Sequence, residues 1–125
     1  MKENIIDILN KFKSFQIGTE EIKKFFHGNP FQYTIDKPII VTSGDLLNVI
    51  HLYQSGKIRK EDLVYWADLM RLSDLYTYTD QNEEQECIAI VIDMIEDAFL
   101  YKKDISCEDV EMMKNILKGS EIDKN

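Results

Sequence analysis

Four six-residue segments constrain this chain more than any other feature: "IGTEEI" (17–22), "VTSGDL" (41–46), "IRKEDL" (58–63) and "ISCEDV" (105–110). Each places two apolar residues five positions apart, with an acid immediately before the second. A helix N-terminus accounts for that spacing. The residue before the N-cap packs on the fourth helical residue, and an acid at the third helical position reaches back to the N-cap amide, at the positive end of the helix dipole. The apolar pairs are Ile17 with Ile22, Val41 with Leu46, Ile58 with Leu63, and Ile105 with Val110. Thr42 and Ser106 are good caps, Gly18 is acceptable, and Arg59 is a poor one.

From these starts the apolar periodicity predicts six helices, at about 3–15, 19–27, 43–55, 60–73, 81–100 and 107–118. The fifth, with Ile88, Val91, Ile92, Ile95 and Phe99 on one face, is the expected central helix. Short links at 16–18, 56–59 and 101–106 predict antiparallel hairpins. The expected fold is therefore all-α: one domain over 1–125, a compact bundle of about six helices arranged as three helical hairpins. Three irregular units sharing no other positions argue against a solenoid. Residues 29–41, "NPFQYTIDKPIIV", do not fit a helix. Pro30 and Pro38 bracket an alternation of Phe31, Tyr33 and Ile35, which predicts an extended crossover, as an edge strand or hairpin. The last six residues, "SEIDKN", are expected to fray.

The net charge of −8 is unevenly spread: residues 1–60 carry 9 Lys/Arg and 6 Asp/Glu, residues 61–125 carry 6 and 17. Nucleic acid is a poor partner for such a chain, because binding it requires cations to neutralise phosphates. The most apolar run, "CIAIVIDMIEDAFL", contains Asp93, Glu96 and Asp97, so no membrane span is expected. The N-terminal "MKENIIDILNKF" lacks the apolar core of a signal peptide. With two cysteines, Cys87 and Cys107, distant in sequence, a cytoplasmic protein with reduced thiols is expected. Both read as small buried residues rather than nucleophiles. His27 and His51 stand in no metal-ligand spacing, and "DQNEEQE" lacks the glycine of a calcium loop. No catalytic motif, metal or cofactor is implied, and the chain reads as a binding protein rather than an enzyme.

The binding surface expected is the acidic, tyrosine-bearing stretch around 74–97, which opens within "RLSDLYTYTDQNEEQE" (71–86). Eight acids lie between 74 and 97, and no Lys or Arg occurs between Arg71 and Lys102. Part of this has an ordinary explanation. Asp80 reads as an N-cap with Glu83 at the third helical position, each acid contributing roughly 0.3–1 kcal/mol through the dipole. A helix start needs one or two acids, not eight. A face of one sign steers and holds a partner of the other, and tyrosine is a common hot-spot residue. The candidate partner-binding residues are therefore Asp74, Tyr76, Tyr78, Asp80, Glu83, Glu84 and Glu86. Both tyrosines are read in a loop or last helical turn, facing solvent, with packing beside Leu75 as the rival.

The segment "SDLYTY" (73–78), followed by "TDQNEE", resembles the tyrosine-containing segment of colicin-type nuclease immunity proteins. The acidic, helical character is also similar in type to immunity proteins of contact-dependent and other polymorphic bacterial toxin systems. The colicin-type family is four-helical and shorter, and its tyrosines are adjacent, whereas Thr77 separates them here. The resemblance implies a protein that binds and neutralises a cognate toxin, with Asp74, Tyr76 and Tyr78 in the contact. The alternative is a helical adaptor that self-associates or binds a host protein through Phe31–Val41.

Overall fold

All four segments start a helix, and in each the expected acid reaches back to the N-cap amide. Gly18 N donates to Glu21 Oε1 at 3.3 Å, Thr42 N to Asp45 Oδ2 at 2.9 Å, Arg59 N to Asp62 Oδ2 at 3.1 Å, and Ser106 N to Asp109 Oδ2 at 3.0 Å. Even Arg59, without a capping oxygen of its own, heads a helix because Asp62 supplies that bond. At Asp109 the bonds from the Ser106 amide and hydroxyl hold the carboxyl below its ordinary range.

The computed structural model describes residues 4–122. Its helices are α1 (Ile5–Lys13), α2 (Thr19–Phe25), α3 (Ser43–Gln54), α4 (Lys60–Leu72), α5 (Asn82–Leu100) and α6 (Cys107–Ile122), with a 3-10 turn at Pro30–Gln32. Residue 3, expected in the first helix, and residues 123–125, expected to fray, lie outside the described residues. Residues 120–122 were also expected to fray, but α6 continues through them.

The fold is not all-α. Two strands, β1 (Thr34–Val41) and β2 (Asp74–Tyr78), form a two-stranded parallel sheet, which makes the architecture mixed α/β. Ile39 pairs with Tyr76, Ile40 with Thr77 and Val41 with Tyr78, and the register is irregular between Thr34 and Ile39. The β1 side agrees with the extended crossover. The β2 side overturns the reading of 74–78 as a loop. Parallel strands need a crossover of a dozen or more residues, and here α3 and α4 provide it. "DLYTY" is rich in residues that favour strands, and Leu75 and Tyr76 are buried in the core.

The three-hairpin arrangement also fails in its middle unit. α3 packs most extensively on α6, and α4 on α5, rather than chiefly on each other. The reason is the sheet: the α3–α4 pair must span from one strand to its parallel neighbour. Two aromatic donors then tie α1 to this layer. Trp66 Nε1 of α4 donates to the Lys13 carbonyl at 3.1 Å, and Tyr76 Oη of β2 donates to the Leu9 carbonyl at 2.5 Å. Lys13 in turn bonds the Ile40 carbonyl at 3.1 Å and pairs with Asp45 at 3.3 Å. Phe12, Leu46, Trp66, Leu75, Ile88 and Ile92 lie in one core beneath these contacts. Among the described residues, no helix is long and apolar enough to cross a membrane.

Candidate functional site

β1 and β2 end side by side, so the helices that follow, α3 and α5, begin next to each other. α5 starts one residue later than the sequence predicts: its N-cap is Gln81, not Asp80, and the cap side chain makes no capping bond. Glu84 therefore holds the third helical position in place of Glu83. Its Oε2 does not close its own turn. It accepts from the backbone N of Ser43 at 2.8 Å and from Ser43 Oγ at 3.0 Å. A carboxylate thus sits at the positive end of α3, where the orphan amides of a first turn favour it.

This placement divides the seven expected binding residues. Glu84 is 2 % exposed and Tyr76 4 % exposed, so neither offers a surface to a partner in this conformation. Burial, and next the charge of Asp45, raise the Tyr76 phenol above its ordinary range. Tyr78 is half-buried. Its hydroxyl is enclosed, with no hydrogen-bond partner among the described residues, and burial followed by the charge of Glu96 pushes it up to about 12. Asp74, Asp80, Glu83 and Glu86 are exposed, as expected of a binding surface. The split follows the place of each residue in the packing: β2 runs through the core and buries Leu75 and Tyr76, while Asp74 at its first position and Asp80 beyond its end stay in solvent.

What the expected list lacks is the rest of the outer face of α5. Glu83, Glu86, Ile90, Asp93, Asp97, Leu100 and Tyr101 recur at three- and four-residue steps and are all exposed. From Glu83 to Asp97 this stripe is about 21 Å long at helical rise. Four carboxylates surround Ile90, which is 50 % exposed, and Leu100 and Tyr101 end the stripe at 67 % and 69 %. The nearest cation on the preceding helix, Arg71, is committed: its Nε lies 2.6 Å from Glu96 Oε1. The sequence signal for this face was the helical period of the acids, which put the expected surface around 74–97 without singling out Ile90, Asp93 or Asp97 as site residues.

His27 and His51 are exposed, on α2's exit and α3 respectively. Cys87 is half-buried, but Cys107, expected to be buried, is exposed at the first position of α6. The apolar crossover is turned inward: Tyr33 stacks edge-on to Phe26 at 4.9 Å and Phe31 to Tyr65 at 5.9 Å, leaving Ile40 as its exposed large apolar residue. A shallow groove of about 520 Å³ runs along α6 beside Met112 and Ile116.

Compared with protein-family models, curated proteins and solved structures, the chain matches none. The resemblance to nuclease immunity proteins therefore rests on 73–78 alone, and here that segment is largely the strand β2.

Proposed function

We propose that this chain is a cytoplasmic immunity protein that binds a basic bacterial toxin and blocks it by occlusion, using the outer face of α5. The observation that carries the reading is the exposed stripe of Glu83, Glu86, Asp93 and Asp97 around Ile90, with Arg71 withdrawn into a bond with Glu96. Such a face repels itself, and a single intervening lysine would relieve this without disturbing any packing. Retaining it is useful where a partner of opposite charge neutralises it and gains a fast, salt-sensitive association. Ile90, Leu100 and Tyr101 supply apolar contact at and beyond the centre of the charge, the kind of anchor around which hot spots form. Asp74 and Asp80, exposed at the two ends of β2, add to the same sign. Tyr76 and Glu84 contribute from below, by fixing the strand and the start of α3.

The test is affinity capture on the tagged protein at low and high salt, with the bound proteins identified by mass spectrometry. A basic toxin domain eluting with salt is the expected result. Reversal of Glu83, Glu86 and Asp93 to lysine should then slow its association at low salt by about tenfold or more. Unchanged binding by that triple variant would sink the proposal.

A further inference from the structure

α5 and α6 meet at a corner where the acidic stripe ends, and a cleft of about 80 Å³ opens there. Its floor is apolar: Met94 and Ala98 come from α5 and Met113 from α6. Ala98 and Met113 are buried and Met94 is half-buried, so the cleft reaches toward the core rather than lying flat on the surface. Two acids line it, Asp97 of the stripe and Asp109 at the third position of α6. Ser106 holds Asp109 in place: its amide donates to Asp109 Oδ2 at 3.0 Å, and its Oγ accepts from the Asp109 amide at 3.1 Å. The turn beside them is also tied down. The Lys103 amide donates to the Ala98 carbonyl at 3.0 Å, and the Lys103 carbonyl accepts from Lys60 Nζ at 3.2 Å. Lys103, which is exposed, lines the cleft as well. Two acids against one cation leave the cleft negative, and Asp93 lies one helical turn from Asp97.

We propose that this cleft seats one lysine side chain of the protein that docks on the α5 face, with its stem on Met94, Ala98 and Met113 and its ammonium between Asp97 and Asp109. The chemistry of the cleft selects that occupant. A wholly apolar side chain would strip water from two carboxylates and leave them unpaired, and an acidic one would add repulsion. Lysine offers an apolar stem and a compact charge with three donors. The wide planar guanidinium of arginine suits a carboxylate with both oxygens free, and Asp109 already gives one to Ser106. The size agrees: about 80 Å³ takes the end of one long side chain and is far below the roughly 300–1,000 Å³ of a small-molecule pocket. Lys103 is the resident cation, and the incoming ammonium takes its place beside the two acids. The identity of the partner rests on the immunity reading; the fit of an alkylammonium to the cleft does not.

The experiment is a titration of the free full chain, labelled at its methionine methyls, with n-butylammonium chloride at constant ionic strength, read by NMR. 1-Butanol, of the same length and uncharged, is the control. The Met94 and Met113 methyls should shift saturably with the amine, in about the millimolar range, and not with the alcohol, while exposed Met112 stays in place. Asp97→Asn, at an exposed position, should weaken the amine about threefold. Ala98→Leu fills the floor without altering charge and should abolish the shifts. The proposal is overturned if the two methyls do not respond, if 1-butanol moves them equally, or if Asp97→Asn leaves the midpoint in place. A basic toxin captured by a chain that ignores the amine removes this pocket and spares the immunity reading. Amine bound with no toxin captured keeps the pocket and removes that reading.

Discussion

α3 and α5 leave the same end of the same sheet, yet their first turns are closed in opposite ways. α3 uses its own acid: Asp45 accepts from the Thr42 amide at 2.9 Å and from the Thr42 hydroxyl at 3.2 Å. α5 sends its acid elsewhere: Glu84 serves Ser43 of α3, while the Gln81 side chain makes no capping bond. α3 therefore starts with two carboxylates at its positive end, one local and one from a residue 41 positions away. The lesson is that an acid at the third helical position closes its own turn only when no stronger site is within reach. A neighbouring helix N-terminus, buried and lined with amide and hydroxyl donors, is such a site.

The largest test of this contrast is Glu84→Ala. It strips the buried Ser43 amide of its acceptor, and unfolding in denaturant should show a loss of about 3 kcal/mol. An effect below about 1 kcal/mol would mean that solvent replaces the carboxylate and that α3 does not depend on it. Next in size is Tyr76→Phe, which removes the donor to the Leu9 carbonyl; about 1–2 kcal/mol is expected from the same measurement. Asp45→Ala, the local half of the comparison, should cost about 1 kcal/mol through the lost cap bond and the Lys13 pair.

A smaller effect separates by pH. Asp68 is held at about 7 in the folded chain, above its ordinary 3.8. A carboxyl raised by folding contributes stability that is complete below about 3.8 and is lost as pH rises through about 7. The stability of the wild type relative to Asp68→Asn should therefore decline from about pH 4 to about pH 7 and level off above that. A flat difference across that range would remove Asp68 from the account. The smallest change is expected for Glu83→Gln and Glu86→Gln, one and two positions from Glu84. Being exposed, each should stay within about 0.5 kcal/mol of the wild type, and a larger loss would erase the distinction between the buried acid and its neighbours.

The helix starts were legible because the partners in each lie within five residues. Ile17 and Ile22, or Thr42 and Asp45, meet wherever a helix begins, so spacing alone specifies the contact. The apolar face of α5 was legible for the same reason at Ile88, Val91, Ile92 and Ile95, which are buried; Phe99, expected on that face at the last turn, is 62 % exposed instead. Tyr76 was misplaced because "DLYTY" is too short for an alternation to reveal which residues face inward. A strand is also not stabilised by itself; β2 exists because β1 lies beside it. Asp68 passed unnoticed since a single acid beside an apolar stripe reads as a helix flank until the opposing helix is known.

What the sequence determined by itself, then, is where α2, α3, α4 and α6 begin and most of the apolar face of each helix, since both depend on interactions spanning a turn or two. Tertiary structure alone decided the parallel pairing of β1 with β2, the burial of Glu84 at another helix's start, the bond from Tyr76 to Leu9 across 67 residues, and the ion pair of Arg71 with Glu96. Each of these joins groups whose separation in the chain carries no periodic signal. The free energy of each is set by desolvation and by donors that only the assembled core brings together.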